Sequence, residues 1–370
     1  MKNIAIIFLL TGLSVHAEES INWQYNFYVK DESASNTLPM TVLSSDSWPN
    51  YYHPTKKTAK AWRSVSAESN LVHPSGWQIG GLIRSESNLS TSSDTVDAMA
   101  LAALNTHPKD SRVFQLQAEL KSWSGRGLQV KSPWHFLDSE KSWSMKIQGQ
   151  WLQLTKLRQA SGAGFINYSE ATGYLSDINY SRNYHTNSSY FLPRADSNGV
   201  AGSLSFFLKK DLADESFVDL EALDLISKLK WNLVSESANF NSLATNDIPQ
   251  GIQGVRKNMQ YNQRMDQAFK FRWGQTFSES DSILRHGRWI AELNHRNTLN
   301  QAWLGWSTRN FSNDPTRATY GWAMSIAHDP LLGGTRAILS KSGAYLQYAT
   351  DKLGKEAHVN SIQLGWQANF

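Results

Sequence analysis

The chain has no cysteine in its 370 residues. That rules out disulfide staples and thiolate metal sites, even in an oxidising compartment. Charge of one sign is also scarce: 36 Lys and Arg stand against 32 Asp and Glu, a formal net of +4. So small an excess leaves no footprint for nucleic acid. Long hydrophobic runs are missing as well. Past the first residues the longest is Ala98 to Leu104, well short of the roughly 20 residues of a membrane-spanning helix. Gly-x-Ser-x-Gly, His-Glu-x-x-His, Gly-x-x-x-x-Gly-Lys-[Ser/Thr] and dinucleotide fingerprints do not occur. The ten histidines are scattered, none at ligand spacing from another donor. No cofactor and no metal is implied, and no catalytic residue stands out. What the chain does have is aromatic side chains, 12% of residues with 15 tryptophans, on a mean hydropathy of −0.46. A polar average carrying that many rings suits a sheet with one apolar face, one wet face and aromatic girdles.

The beginning of the chain reads as an address. Met1-Lys2-Asn3 is a short basic start, Ile4 to Leu13 is apolar apart from Thr11 and Gly12, and Val15-His16-Ala17 offers a small-residue cleavage site. We expect residues 1–17 to be a secretory signal cleaved after Ala17, and residues 18–370 to form one domain. The absence of cysteine at that site excludes a lipoprotein. Losing Lys2 lowers the net charge from +4 to +3.

Alternation dominates the rest. Ile362, Leu364, Trp366, Ala368 and Phe370 fall on one face of a strand, and Gln363, Gly365, Gln367 and Asn369 on the other. Ile21 to Lys30, Phe114 to Lys121, Trp143 to Trp151, Phe269 to Trp273, Trp289 to Leu293 and Tyr320 to Ile326 repeat the pattern. One such segment is weak support, but many in one secreted chain are strong. With Gln363, Gly365, Trp366, Ala368 and a final Phe370, the last strand resembles the C-terminal targeting strand of bacterial outer-membrane β-barrels. The resemblance covers eight residues and names a class, porin-like barrels. It implies the outer membrane as location, lipid and the barrel-assembly machinery as partners, and an all-β antiparallel transmembrane barrel.

Spans are expected near 20–30, 59–69, 76–88, 112–131, 143–157, 162–169, 172–182 and 200–209. Further along they fall near 218–234, 262–277, 286–296, 299–310, 317–328, 334–340, 343–350 and 357–370. That is about 16 strands, with 14 or 12 as alternatives because 334–340 and 343–350 are short. Both termini then share one end. Asp31–Lys57, Asn88–Asp110 and Ser235–Tyr261 are the expected long outer loops, and Ser278–Asp281 and Asn313–Thr316 the expected tight turns. The run Val96–Leu104 favours a helix, which either folds into the mouth and narrows it or caps a neighbouring loop.

The wet face carries the functional expectation. If Leu229, Trp231, Phe269, Phe271, Trp273, Trp289, Ala291 and Leu293 face lipid, the charged residues between them face a lumen. Lys228, Lys230, Lys270, Arg272 and Arg288 would make a basic wall there, with Asp224, Asp266 and Glu292 beside it. The same charges facing lipid at the midplane would cost about 2–4 kcal/mol each. The expectation is a diffusion channel for small polar or anionic solutes. Alternatives are a salt-bridged filled barrel, an anchor, an adhesin or a polymer-export pore. Trp48, Tyr51, Tyr52 and Trp62 would then either bind a partner or belong to the outer girdle. A lipid hydrolase would need Ser340, Ser342 and His328 to meet at the outer rim. A soluble periplasmic β-protein would bury the same aromatic rows in a second sheet.

Overall fold

The computed structural model describes residues 23–43, 45–184, 199–212, 216–242, 252–276, 287–296, 299–308, 311 and 321–370. The expected signal segment and the turns at 278–281 and 313–316 lie outside them. Seventeen strands and one α-helix follow in chain order: β1 Gln24–Ser35, β2 Ala59–Val72, β3 Gln78–Thr91, α1 Ser93–Ala103, β4 Arg112–Lys131, β5 His135–Phe136, β6 Trp143–Ser169, β7 Gly173–Tyr184 and β8 Gly199–Asp211. After them come β9 Phe217–Ser242, β10 Ile252–Gln263, β11 Ala268–Thr276, β12 Gly287–Arg296, β13 Leu299–Thr308, β14 Trp322–His328, β15 Thr335–Lys341, β16 Ala344–Thr350 and β17 Val359–Asn369.

Fourteen of them close a ring. Every pairing is antiparallel, and β17 returns to β1 with Gln24 opposite Asn369. The order around the ring is β1, β2, β3, β4, β6, β8, β9, β11, β12, β13, β14, β15, β16, β17. Closure leaves no sheet edge in the wall. Alternation decides which way each residue points, and β14 to β17 show it without a break. Ala323, Ser325, Ala327, Arg336, Ile338, Tyr345, Gln347, Ser361 and Gln363 are buried inside, while Trp322, Met324, Ile326, Leu339, Leu346, Ile362, Leu364 and Trp366 are exposed outside. The outward belt continues through Ile79, Ile83, Leu128, Trp151, Phe271, Trp289, Leu293 and Leu304. Among the described residues no second sheet covers those side chains, so a two-sheet sandwich does not describe the fold.

Fourteen strands, not sixteen, result from one long element. Residues 143–169 are a single strand, so the expected spans 143–157 and 162–169 merge. Its first half pairs with β8 and its second half with β7, both antiparallel to it. Span 172–182 therefore continues the line of β8 beyond the ring and adds no strand to it. β9 repeats the arrangement, pairing with β8 and β11 within the ring and with β7 and β10 beyond it. The expected loop 235–261 is consequently mostly strand, held by backbone pairing between β9 and β10. The result is an uneven wall. β6 and β9 run 27 and 26 residues, whereas β14, β15 and β16 run seven each. Only residues 297–298 separate β12 from β13 at that end.

The helix expected at Val96–Leu104 is α1, and it caps a neighbour. Val96 and Ala100 pack with Leu38, Tyr52, Ala59 and Ala61 on the outward side of the rim, so α1 does not enter the lumen. It also closes an edge. β4 extends past the end of β3, and the N–H groups of Gln115 and Gln117 donate to Asp94, Ser92 and Thr95 at 2.9–3.2 Å. Arg112 ties Asp94 and Asp97 together at 2.7 and 2.8 Å, and the Tyr52 hydroxyl donates to Asp97 at 2.8 Å.

Asp351 closes the last connection at the same rim. Its Oδ1 accepts the N–H groups of His358 and Val359 at 2.8 Å each, and its Oδ2 meets His358 Nδ1 at 3.0 Å. Burial alone would raise this carboxyl; the bonds from His358 and Val359 outweigh it and hold the group below its ordinary value. A lowered folded pKa gives stabilisation that is complete above the unfolded value of about 3.9 and drains as pH falls through the folded one. Amide hydrogen exchange at His358 and Val359 is therefore expected to accelerate below about pH 4. Asp351→Ala should exchange fast at every pH; equal protection in both proteins would refute this.

Candidate functional site: the barred lumen

The lumen is crossed by charge. Arg84 on β3 donates from Nη1 and Nη2 to Asp224 on β9 at 3.0 and 2.5 Å, and from Nε to Glu86 at 2.9 Å. Glu86 in turn accepts from Arg296 on β12 at 2.5 Å. β3 and β12 stand six places apart in the ring of fourteen, so the last bond joins nearly opposite walls. Ser64 and Gln150 add bonds at 3.0 and 3.2 Å. Trp123 lies under the Arg84 guanidinium and Trp62 under that of Arg296, with 5.3 and 4.9 Å to the ring centroids. Asn88 on β3 donates across the lumen to Asp266. The side chain of Asp224 is 0% exposed. A charge that deep persists only when paired and hydrogen-bonded.

Apolar side chains fill the barrel on either side of this bar. One cluster joins Leu82, Trp123, Leu152, Leu154, Leu229 and Trp231, and Trp231 lies so close over Gly199 that a Cβ there would collide with the indole. The other joins Ala34, Trp62, Leu299, Trp303, Ala349 and Val359. Toward the end where β1 begins and β17 stops, the lumen opens into a cavity of about 590 Å³. Its basic lining is Lys30, Arg84, Lys131, Lys146, Lys209, Lys270, Arg272, Arg288, Arg296 and Arg336. Its acidic lining is Glu32, Glu68, Glu86, Asp211, Asp219, Glu221 and Glu292. Ten positive groups against seven negative leave a surplus of three. Most are paired: Lys131 with Glu68 at 2.7 Å, Arg272 with Glu221 at 2.6 Å, Arg336 with Glu292 at 2.8 Å. Lys270 differs. Among the described residues it has no hydrogen bond or ion pair, although Glu32, Glu221 and Glu292 all act on it electrostatically.

Of the expected lumen residues, the structure gathers Lys270, Arg272, Arg288 and Glu292 around the cavity and places Asp224 and Asp266 on the lumen side. Arg288 donates to the Phe311 carbonyl at 2.7 Å. Lys228 and Lys230 do not belong there: both are exposed on the outer face. The expectation failed because it sent the apolar row Leu229 and Trp231 to the outside. Both are 1% exposed and pack in the internal cluster, which the wet-lumen assumption did not allow for. Asp224 still reaches the lumen because a bulge opposite Leu204–Phe206 holds it at φ 54°, a left-handed conformation that Asp tolerates.

Arg84, Glu86 and Arg336 escaped the sequence reading. The signal was present in Arg84-Ser85-Glu86, where alternation puts both charges on the face opposite Ile83. Trp62 sits in the lumen beneath Arg296, whereas Trp48 and Tyr52 pack in the rim cluster and Tyr51 lies beneath Lys355. His328 and Ser342 mark opposite ends of β14–β15, and Ser340 is buried inside. The three do not meet.

No family model matches the chain, and no curated protein matches it in sequence. Among solved structures, it resembles the TodX deltaS2S3 mutant monoaromatic hydrocarbon channel at 6% identity and a TM-score of 0.37, over 95% of this chain and 90% of that one. The CymD monoaromatic hydrocarbon channel is 7% identical with a TM-score of 0.32, over 95% and 88%. The Pseudomonas putida toluene transporter TodX is 8% identical with a TM-score of 0.32, over 95% and 89%. What those proteins carry is theirs; likeness at this level says nothing of what crosses this barrel.

Proposed function

We propose that the chain is an outer-membrane channel for small polar solutes, with a modest preference for anions. The carrying observation is a cavity inside a closed barrel with ten basic and seven acidic groups on its wall. The outward belt of Trp, Ile and Leu supports the membrane location, since lipid is the solvent that such a belt suits. The surplus of positive charge supports the anion preference by raising anion concentration near the wall. The Arg84–Glu86–Arg296 bar supports a narrow, filtered path over a wide one. The same bar also favours a second reading, a filled barrel that serves as an anchor.

Bilayer recording from the refolded mature chain separates them. The channel reading expects discrete conductance steps and a reversal potential on the anion side in a KCl gradient. A silent membrane would favour the anchor, and clear cation preference would refute the anionic part. We expect no cofactor, no nucleic-acid partner and no catalysis; the barrel-assembly machinery would engage the final strand, including Gln363, Gly365, Trp366, Ala368 and Phe370.

A further inference from the structure

The outer face of β4, β6, β8 and β9 carries three rows set by strand register. The lowest is wholly apolar: Val130, Gly149, Leu204 and Ile226. The middle row reads Leu128, Trp151, Gly202 and Lys228, and the upper row Arg126, Gln153, Val200 and Lys230. Arg264 follows Gln263, which pairs with Leu229, and so falls beside Lys228. Apolar surface gives way to cations within two rows.

The two glycines make the floor of a depression. Gly149 and Gly202 place no side chain between Trp151, Leu204 and Ile226, and the resulting groove of about 920 Å³ runs up to Lys228 and Arg264. Trp151 and Ile226 are 56% and 60% exposed along it. Among the described residues, Arg126, Lys228, Lys230 and Arg264 have no ion pair or hydrogen bond, and no acidic side chain lines the groove. Exposed cations at the top of an apolar belt suit an anion with an apolar tail.

We propose that this groove binds a phosphorylated lipid of the surrounding leaflet. Its acyl chains lie along Trp151, Leu204 and Ile226 over the glycine floor, and its phosphate meets Lys228, Lys230 and Arg264. The proposal rests on the membrane-spanning reading but is independent of what the lumen conducts. Charge complementarity selects the lipid phosphate, and the groove distinguishes it from free phosphate, which has no use for an apolar floor.

The test is native mass spectrometry of the mature chain in micelles doped with lipid A. The unaltered protein should hold a lipid adduct that Lys228→Gln/Lys230→Gln/Arg264→Gln weakens at least about tenfold. Gly202→Trp should weaken it comparably with every charge in place; a Cβ there meets only the Gln150 carbonyl at 3.7 Å, so the wall accommodates a side chain. Arg63→Gln, which alters an outward cation paired with Asp31 elsewhere on the barrel, should leave the adduct unchanged. A heat-modifiable gel band certifies each variant as folded. Undiminished adducts in the triple variant, or displacement by millimolar inorganic phosphate, would overturn the lipid site while leaving the barrel intact. Extraction of the unaltered chain without detergent would instead remove the membrane reading itself.

Discussion

Arg84→Ala is expected to destabilise the folded barrel by about 3–5 kcal/mol, the cost of leaving the buried Asp224 carboxylate without its cation. Arg84 is the hinge of the bar, holding Asp224 on one side and Glu86 on the other. Glu86 keeps Arg296, whereas Asp224 has no second ion pair among the described residues, and Ser205 Oγ only accepts its backbone N–H at 3.0 Å. Denaturant titration in detergent, followed by tryptophan emission, reads the loss. Arg84→Ala/Asp224→Asn should recover a large part of it, because the stranded charge is gone. Both variants should raise single-channel conductance, since each removes the bridge between β3 and β9. Stability equal to the parent, with unchanged conductance, would mean that the bar neither holds nor obstructs.

Reversing the lumen's charge should reverse its selectivity. Lys270→Glu and Lys146→Glu each change the wall by two units, so the double variant takes the surplus of three to a deficit of one. The reversal potential in a salt gradient is expected to move from the anion side to the cation side. Lys270 is the stronger lever, since it stands amid Glu32, Glu221 and Glu292 without a bonded partner among the described residues. Lys228→Glu is the control. It alters the outer face and should leave the potential where it was; a shift equal to that of Lys270→Glu would contradict the assignment of faces.

The barrel was legible because alternation at Trp143–Trp151, Trp289–Leu293 and Ile362–Phe370 needs only local geometry. Membrane-type strands advertise themselves one residue in two. The strand total was less legible, since residues 143–169 look like two strands when length alone is used to divide them. Lumen membership depended on a premise about solvent. Lys270, Arg272, Arg288 and Glu292 came out on the inside because their apolar neighbours Phe271, Trp289 and Leu293 do face outward. Leu229 and Trp231 broke the premise: the interior has its own apolar cluster, and period-2 patterning cannot tell lipid from a packed lumen. Contacts such as Glu86–Arg296 lie beyond any local pattern, because the chain closes 210 residues between them.

The uneven length of the strands gives the barrel a sheltered side. β6, β7, β9 and β10 rise as a parapet on one flank, whereas the wall steps down beside it, where β12 stops at Arg296 and β13 starts at Leu299. A molecule diffusing in the plane of the rim meets a fence over one arc and an open threshold over the other. Bulky molecules approaching over β6 and β9 are thus held farther from the lumen than those arriving over β12 and β13.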